Sequence, residues 1–184
     1  LYAWLIPKQG AKAKVGLATN TGNPKELLQR FMFKHPVASK KLCEAKILQA
    51  SFHPITLGGP IPKACSNGFL AVGDVASQVK PTTGGGVIFG MACARVAAEV
   101  IHEALHKNDF SSETLSGYQK RCDKILRFEA KFMLKARRML DALSDDKIDK
   151  LINLCTRISL DRTLRNVEDI DLQGHSLLRM LWNP

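Results

Sequence analysis

Hydrophobic and polar positions alternate from the first residues of the chain. Tyr2, Trp4 and Ile6 share one side of an extended run and Ala3 and Leu5 the other, so the pattern predicts a strand buried on both faces. Gln9-Gly10 turns the chain. Ala11, Ala13, Val15 and Leu17 then alternate with Lys12, Lys14 and Gly16, which predicts a half-exposed partner strand. Asn23-Pro24 is an N-cap followed by proline at the first helical position, and Leu27, Leu28 and Phe31 share the buried face of that helix. His35-Pro36 stops it. Ala45 to Phe52 predicts a further strand, ended by Pro54, and Phe69 to Val72 a short buried one. Helical spacing then returns over Val87 to Leu105, Ser112 to Leu143 and Asp145 to Ile158, with weaker turns to the end. The whole reads as α+β in three parts: residues 1–56, residues 57–108 opened by Leu57-Gly58-Gly59-Pro60-Ile61-Pro62, and a helical region at 109–184.

Composition narrows the class. The 184 residues are 45% hydrophobic and 24% charged, enough to bury a core and too apolar for a disordered chain. No run reaches the roughly 18 apolar residues a membrane-crossing helix needs, and no signal peptide is visible. Cys43, Cys65, Cys93, Cys122 and Cys155 lie far apart with no C-x-x-C pair, which reads as reduced thiols of a cytoplasmic protein. Net charge is +10, and much of the excess is local. Lys120, Lys124, Arg127, Lys131, Lys135 and Arg138 form one stripe of the long helix, beside an apolar face of Ile125, Phe128, Phe132, Ala136 and Met139. Such a helix either lies on anionic lipid or presents a solvated face while its apolar side packs on the fold. Nucleic acid is not expected, because no binding fold or aromatic platform accompanies the charge.

Candidate chemistry concentrates between Gly73-Asp74 and Val87. A carboxylate at a strand end can accept hydrogen bonds from ribose-like hydroxyls. Gly84-Gly85-Gly86 lets backbone N–H groups approach a phosphate or a flat ring at the positive end of a helix, which Ala92, Ala94, Ala97 and Ala98 make thin. The plain alternatives are a tight connection for the glycines and a turn or capping carboxylate for Asp74. Tyr2 and Trp4 suit either ordinary sheet core or the wall of an apolar site. His53 reads as a loop histidine. His102-Glu103-Ala104-Leu105-His106 fits the H-E-x-x-H pattern of zinc hydrolases. Its stripe of Arg95, Glu99, His102 and His106 is polar, however, and lies opposite Val96, Val100 and Leu105. No third ligand follows at a recognisable spacing, so no metal is expected.

Gly73-Asp74, the run Pro81-Thr82-Thr83-Gly84-Gly85-Gly86 and the small-residue helix behind it resemble the second FAD-binding motif of the geranylgeranyl reductase family. Tyr2-Ala3-Trp4-Leu5-Ile6-Pro7, followed by Val15-Gly16, is similar to the Tyr-x-Trp-x-Phe-Pro signature of that family's substrate domain. Ile6 stands where the family usually has Phe, and Ser77 where it commonly has Gly. The resemblance covers residues 1–155 or so. It implies an FAD-dependent oxidoreductase that saturates isoprenoid chains, and a fragment of a PHBH-like FAD/NAD(P)-binding fold. Residues 1–56 are then part of the substrate or catalytic sheet domain, 57–108 the C-terminal part of the FAD-binding domain, and 109–184 a C-terminal helical region.

The same resemblance implies that Asp74, after Gly73, bonds a ribityl hydroxyl, and that the Gly86 and Val87 N–H groups point at the flavin or pyrophosphate. Gly84 and Gly85 keep the ring face open, Pro81 and Thr83 shape the turn, and Tyr2, Trp4 and Pro7 line a path for a polyprenyl tail. Partners implied are an isoprenoid lipid, an electron donor (NAD(P)H or ferredoxin-like) and a peripheral contact with anionic membrane. Leu1 lies inside an apolar run and no Gly-x-Gly-x-x-Gly follows a strand, so the expectation is the C-terminal part of a longer enzyme. FAD monooxygenases and halogenases share the Gly-Asp segment without the aromatic motif, and a catalytically inactive binding module remains the alternative of another class.

Overall fold

The first hairpin forms where the alternation predicts it. In the computed structural model, which describes residues 2–157, β1 (Tyr2–Lys8) and β2 (Lys12–Ala18) pair antiparallel, with Tyr2 opposite Ala18 and Trp4 opposite Gly16. Helix α1 (Pro24–Lys34) opens on Asn23, whose side chain accepts the Lys25 N–H at 3.0 Å, and closes at His35, where the backbone turns extended before Pro36. A short α2 (Ala38–Lys41) follows. Met32, Ala38 and Leu42 form a small core with Leu5, Val15, Leu28 and Phe31 against it.

That core corrects the reading of β1 as buried on both faces. Leu5 turns toward α1, whereas Tyr2, Trp4 and Ile6 lie on the opposite side of the pleat, Tyr2 with 49% of its surface exposed. Ala45 to Phe52 is not a strand either. The stretch is irregular, with Leu48 79% exposed. β-like composition becomes a strand only when a neighbouring ladder takes its N–H and C=O groups, and β1–β2 is the one sheet of this unit among the described residues.

By its internal contacts the chain divides after Pro54. The second unit opens with an unforeseen β3 (Cys65–Ser66), paired with β4 (Phe69–Leu70) through a turn at Gly68, φ +64°. β4 stops short of the expected Val72, because the chain enters a 3-10 turn at Gly73–Ala76. Three helices follow: α3 (Val87–Lys107), α4 (Ser112–Asp141) and α5 (Asp145–Arg157). The turns expected beyond Ile158 lie outside the described residues. Among the described residues no helix is long and apolar enough to cross a membrane.

Capping fixes where α4 begins. Ser111 accepts the Thr114 N–H at 3.3 Å, and Asp109 accepts the Thr114 hydroxyl and the Ser111 N–H. Those bonds, Thr114's first, hold the Asp109 carboxyl below the usual carboxylate range. Their support is present above the ordinary carboxylate pKa and is lost as pH falls through the lowered one.

Phe89, Cys93, Val96, Ala97, Val100 and Ala104 of α3 meet Leu115, Tyr118, Cys122, Leu126 and Met133 of α4 in the main core. The buried stripe of α4 is thus rotated from the apolar face expected: Phe128 and Met139 are exposed, while Ile125 and Phe132 only flank the core. On α3, Ala104 is buried and Leu105 is not.

One buried chain of hydrogen bonds ties α4 to the strand end. The Tyr118 hydroxyl donates to the Ala71 carbonyl at 2.8 Å and accepts from Gln78 Nε2 at 2.7 Å, while Gln78 Oε1 accepts the Gly73 N–H at 2.7 Å. Burial pushes the Tyr118 phenol above its ordinary pKa, so it keeps the proton it donates. Tyr118→Phe strands a buried carbonyl and a buried amide. Equilibrium denaturation should show a loss of about 1–3 kcal/mol, larger than the usual loss for a tyrosine hydroxyl on a surface.

Candidate functional site

The segment from Gly73 to Val87 folds as a turn over the start of α3. Gly73 takes φ +78° and Gly84 φ +73°, both in the left-handed region that favours glycine. Ser77 takes it too, at φ 53°. This gives a physical reason why a glycine suits that position. Between them the backbone closes on itself: Lys80 N–H to Gly85 O at 2.9 Å, Gly84 N–H to Lys80 O at 2.8 Å, and Gly85 N–H to Thr83 Oγ1 at 3.3 Å. Pro81 is buried beneath the loop, and Arg137 of α4 braces it from below, donating to the Thr82 carbonyl at 3.4 Å and to Asp141 at 2.7 Å. Ile55 and Leu57 close the side at Gly84.

Asp74 is exposed on the 3-10 turn rather than at a strand end, and no described protein group hydrogen-bonds its carboxylate. Its Oδ1 lies where a side chain at Gly86 would begin. A Cβ there would meet it at 2.5 Å and Val79 Cγ1 at 2.9 Å. Gly86 is the N-cap of α3 with no side-chain cap, so the first N–H groups of a 21-residue helix open beside a carboxylate. The structure therefore brings together Gly73, Asp74, Pro81, Thr83, Gly84, Gly85, Gly86 and Val87. Gly90, one turn along, lets α3 approach Gly73 to 3.5 Å from a would-be Cβ.

Tyr2, Trp4 and Pro7 belong to the other unit. Tyr2 and Trp4 pair ring to ring at 5.4 Å, outside the core cluster, and Pro7 is exposed. The indole lies across Gly16, where a Cβ would fall 2.1 Å from Trp4 Cζ2. Gly16 is thus the seat of the aromatic pair, a role the sequence signals only through a glycine in a strand opposite a tryptophan.

His53 lies exposed in the irregular stretch. On α3, Glu103 accepts Arg121 Nη2 at 2.7 Å and is committed to that pair. Cys93 and Cys122 meet in the core. The bond to Cys122, then burial, pushes the Cys93 thiol up, so it remains protonated and inert.

Two small two-stranded sheets, one in each unit, with the turn over α3 and the long helices of the second unit, match a fragment of the geranylgeranyl reductase-like α+β fold. The crystal structure of a geranylgeranyl bacteriochlorophyll reductase-like protein from Thermoplasma acidophilum superimposes with a TM-score of 0.72 at 28% identity, over 83% of this chain and 39% of that one. The chain belongs to the family described as lycopene cyclase protein, whose model matches residues 17–178. It is 36% identical over 152 residues to the digeranylgeranylglycerophospholipid reductase of Methanocaldococcus jannaschii, covering 82% of this chain and 38% of that protein. A digeranylgeranylglycerophospholipid reductase 2 of Methanopyrus kandleri is 30% identical over 172 residues, 91% of this chain and 43% of that protein. The resemblance to geranylgeranyl reductases and the α+β class are borne out. The chain spans about two fifths of the length of these relatives.

Two substitutions test the turn. Gly86→Ala forces a methyl against Val79, which is buried and cannot retreat, and should lower stability by about 1–3 kcal/mol in a thermal melt. Gly85→Ala, with 3.4 Å to its nearest neighbour, should change it little. Ser77→Gly relieves a left-handed serine but gives up its 3.4 Å bond to the Thr56 carbonyl, so the two effects should nearly offset, leaving stability in a thermal melt within about 1 kcal/mol of the parent.

Proposed function

We propose that the chain is the C-terminal portion of an FAD-dependent reductase that saturates carbon–carbon double bonds of geranylgeranyl or other isoprenoid chains, on membrane lipids or prenyl diphosphates. The observation that carries this reading is the exposed Asp74 carboxylate, without a hydrogen-bond donor among the described protein groups, over the Gly86 opening of α3. Such a cradle fits a polyol chain joined to a phosphate: the carboxylate takes hydroxyl hydrogens, and the helix start favours the anion. FAD, when bound, supplies the hydride chemistry, and the protein supplies orientation and electrostatics.

In this reading Asp74 accepts from a ribityl hydroxyl, and the Gly86 and Val87 N–H groups face the cofactor. Gly84 and Gly85 leave the approach unobstructed, while Gly73, Pro81 and Thr83 hold the turn. Tyr2 and Trp4, seated on Gly16 outside the core, with Pro7, line the path of the isoprenoid tail. The reducing partner is NAD(P)H or a ferredoxin-like protein.

A second apolar stripe on α3 supports the reading of a part of a larger enzyme. Val87, Met91, Ala94, Ala98, Ile101 and Leu105 follow one another by four and three residues and all are exposed, Val87 to 74% and Met91 to 65%. That face suits burial against the part of the polypeptide that the relatives have and this chain does not match. Lys120, Lys124, Arg127, Lys131, Lys135 and Arg138 of α4 are exposed, and so are Phe128 and Met139. They support a cytoplasmic enzyme in peripheral contact with anionic membrane, where such substrates reside.

The test is Asp74→Ala in the complete enzyme. Losing a charge-assisted bond of about 1.5–3 kcal/mol should weaken FAD binding by roughly 10- to 100-fold in a flavin fluorescence titration. Glu99→Ala, paired with Arg121 away from the turn, should leave it unchanged. Equal affinities for all three proteins would remove Asp74 from the site.

A further inference from the structure

α3 has a third face, polar and exposed, carrying Arg95, Glu99, His102 and His106. In its last two turns the imidazoles of His102 and His106 meet nearly edge to face, with centroids 4.4 Å apart and planes at 85°. Their Nε2 atoms share a hydrogen bond at 3.1 Å, which a bound ion would replace. We propose that this pair is a two-imidazole binding site for a divalent d-block cation of the zinc type. It is independent of the flavin reading.

Two nitrogens at that separation, each about 2.05 Å from an ion, subtend about 100° at it, between the octahedral and tetrahedral angles. Both ligands lie one turn apart on a continuous helix, so little ordering remains to be done on binding. They lie at its C-terminal end, where the macrodipole favours a cation. Neutral imidazole selects zinc, nickel or copper over magnesium and calcium, which take oxygen ligands.

The carboxylates nearest the pair are already engaged, so the two imidazoles alone would hold the ion. From α4, Arg121 holds Glu103 at 2.7 Å and Glu99 at 3.6 Å, and Lys107 follows at the helix end. Glu103 is turned to Arg121, so the pair is not the hydrolytic centre that H-E-x-x-H denotes elsewhere. Among the described residues no three ligating side chains cluster. Water would complete the ion's remaining positions.

Calorimetric titration of the 184-residue chain with zinc chloride and with magnesium chloride tests the site. One zinc per chain, removed by EDTA, and no magnesium heat are expected. His102→Ala and His106→Ala should each weaken zinc binding by more than about 100-fold. Helicity by circular dichroism should be unchanged, since both side chains are exposed. His53→Ala and Cys43→Ser should bind zinc like the parent. Zinc binding that survives either α3 variant, equal binding of magnesium, or no binding at millimolar zinc would each overturn the proposal.

Discussion

The Gly73-Asp74 end of the glycine-rich turn depends on one buried phenol. Tyr118 reaches from α4 to the end of β4 and to Gln78, and Gln78 in turn holds the amide of Gly73. In a buried setting each of these bonds is costly to leave unmade. The strand end, the 3-10 turn and α4 are therefore locked in a single register. Asp74 follows Gly73 directly, so the carboxylate inherits that register, although it is itself exposed. A buried anchor beneath an exposed acid is the arrangement a binding turn requires, because the anchor keeps the acid in place before any ligand arrives.

Sterics complete what that chain begins. At Gly86 the space for a side chain is filled by Asp74 and Val79. The helix start thus stays bare because its neighbours occupy the volume. Thr83 and Arg137 consume the polar groups of the loop that would otherwise compete. Behind this opening, α3 divides its circumference three ways. One apolar face is in the core, one apolar stripe is open, and the polar face carries the histidine pair. A helix apolar on two sides is characteristic of a position between two layers. The first unit solves a smaller problem by similar means, with Gly16 giving up its side chain so that the Trp4 indole can lie flat across the sheet.

Much of this was legible in the sequence where the cause is local. Alternation set the β1–β2 hairpin, Asn23-Pro24 and His35-Pro36 set the bounds of α1, and helical spacing set α3, α4 and α5 within a residue or two. Gly73-Asp74 and the three glycines marked the turn, because left-handed backbone and close approach leave a residue signature at the position that needs them. Cap, period and glycine each act within a few residues, so a single chain displays them.

What only the tertiary structure decided is whatever depends on a neighbour distant in sequence. Ala45 to Phe52 has the composition of a strand but no ladder to join, so it stays irregular. α4 offered two adjacent apolar arcs. The one carrying Leu115, Tyr118, Cys122 and Leu126 was buried because it alone meets the small side chains of α3. The bond between Gln78 and Tyr118 spans 40 residues, and nothing in either local pattern foretells it. Composition and spacing determine which conformations a segment can adopt. Desolvation, hydrogen-bond satisfaction and close packing select among them, and those are properties of pairs of segments rather than of any one.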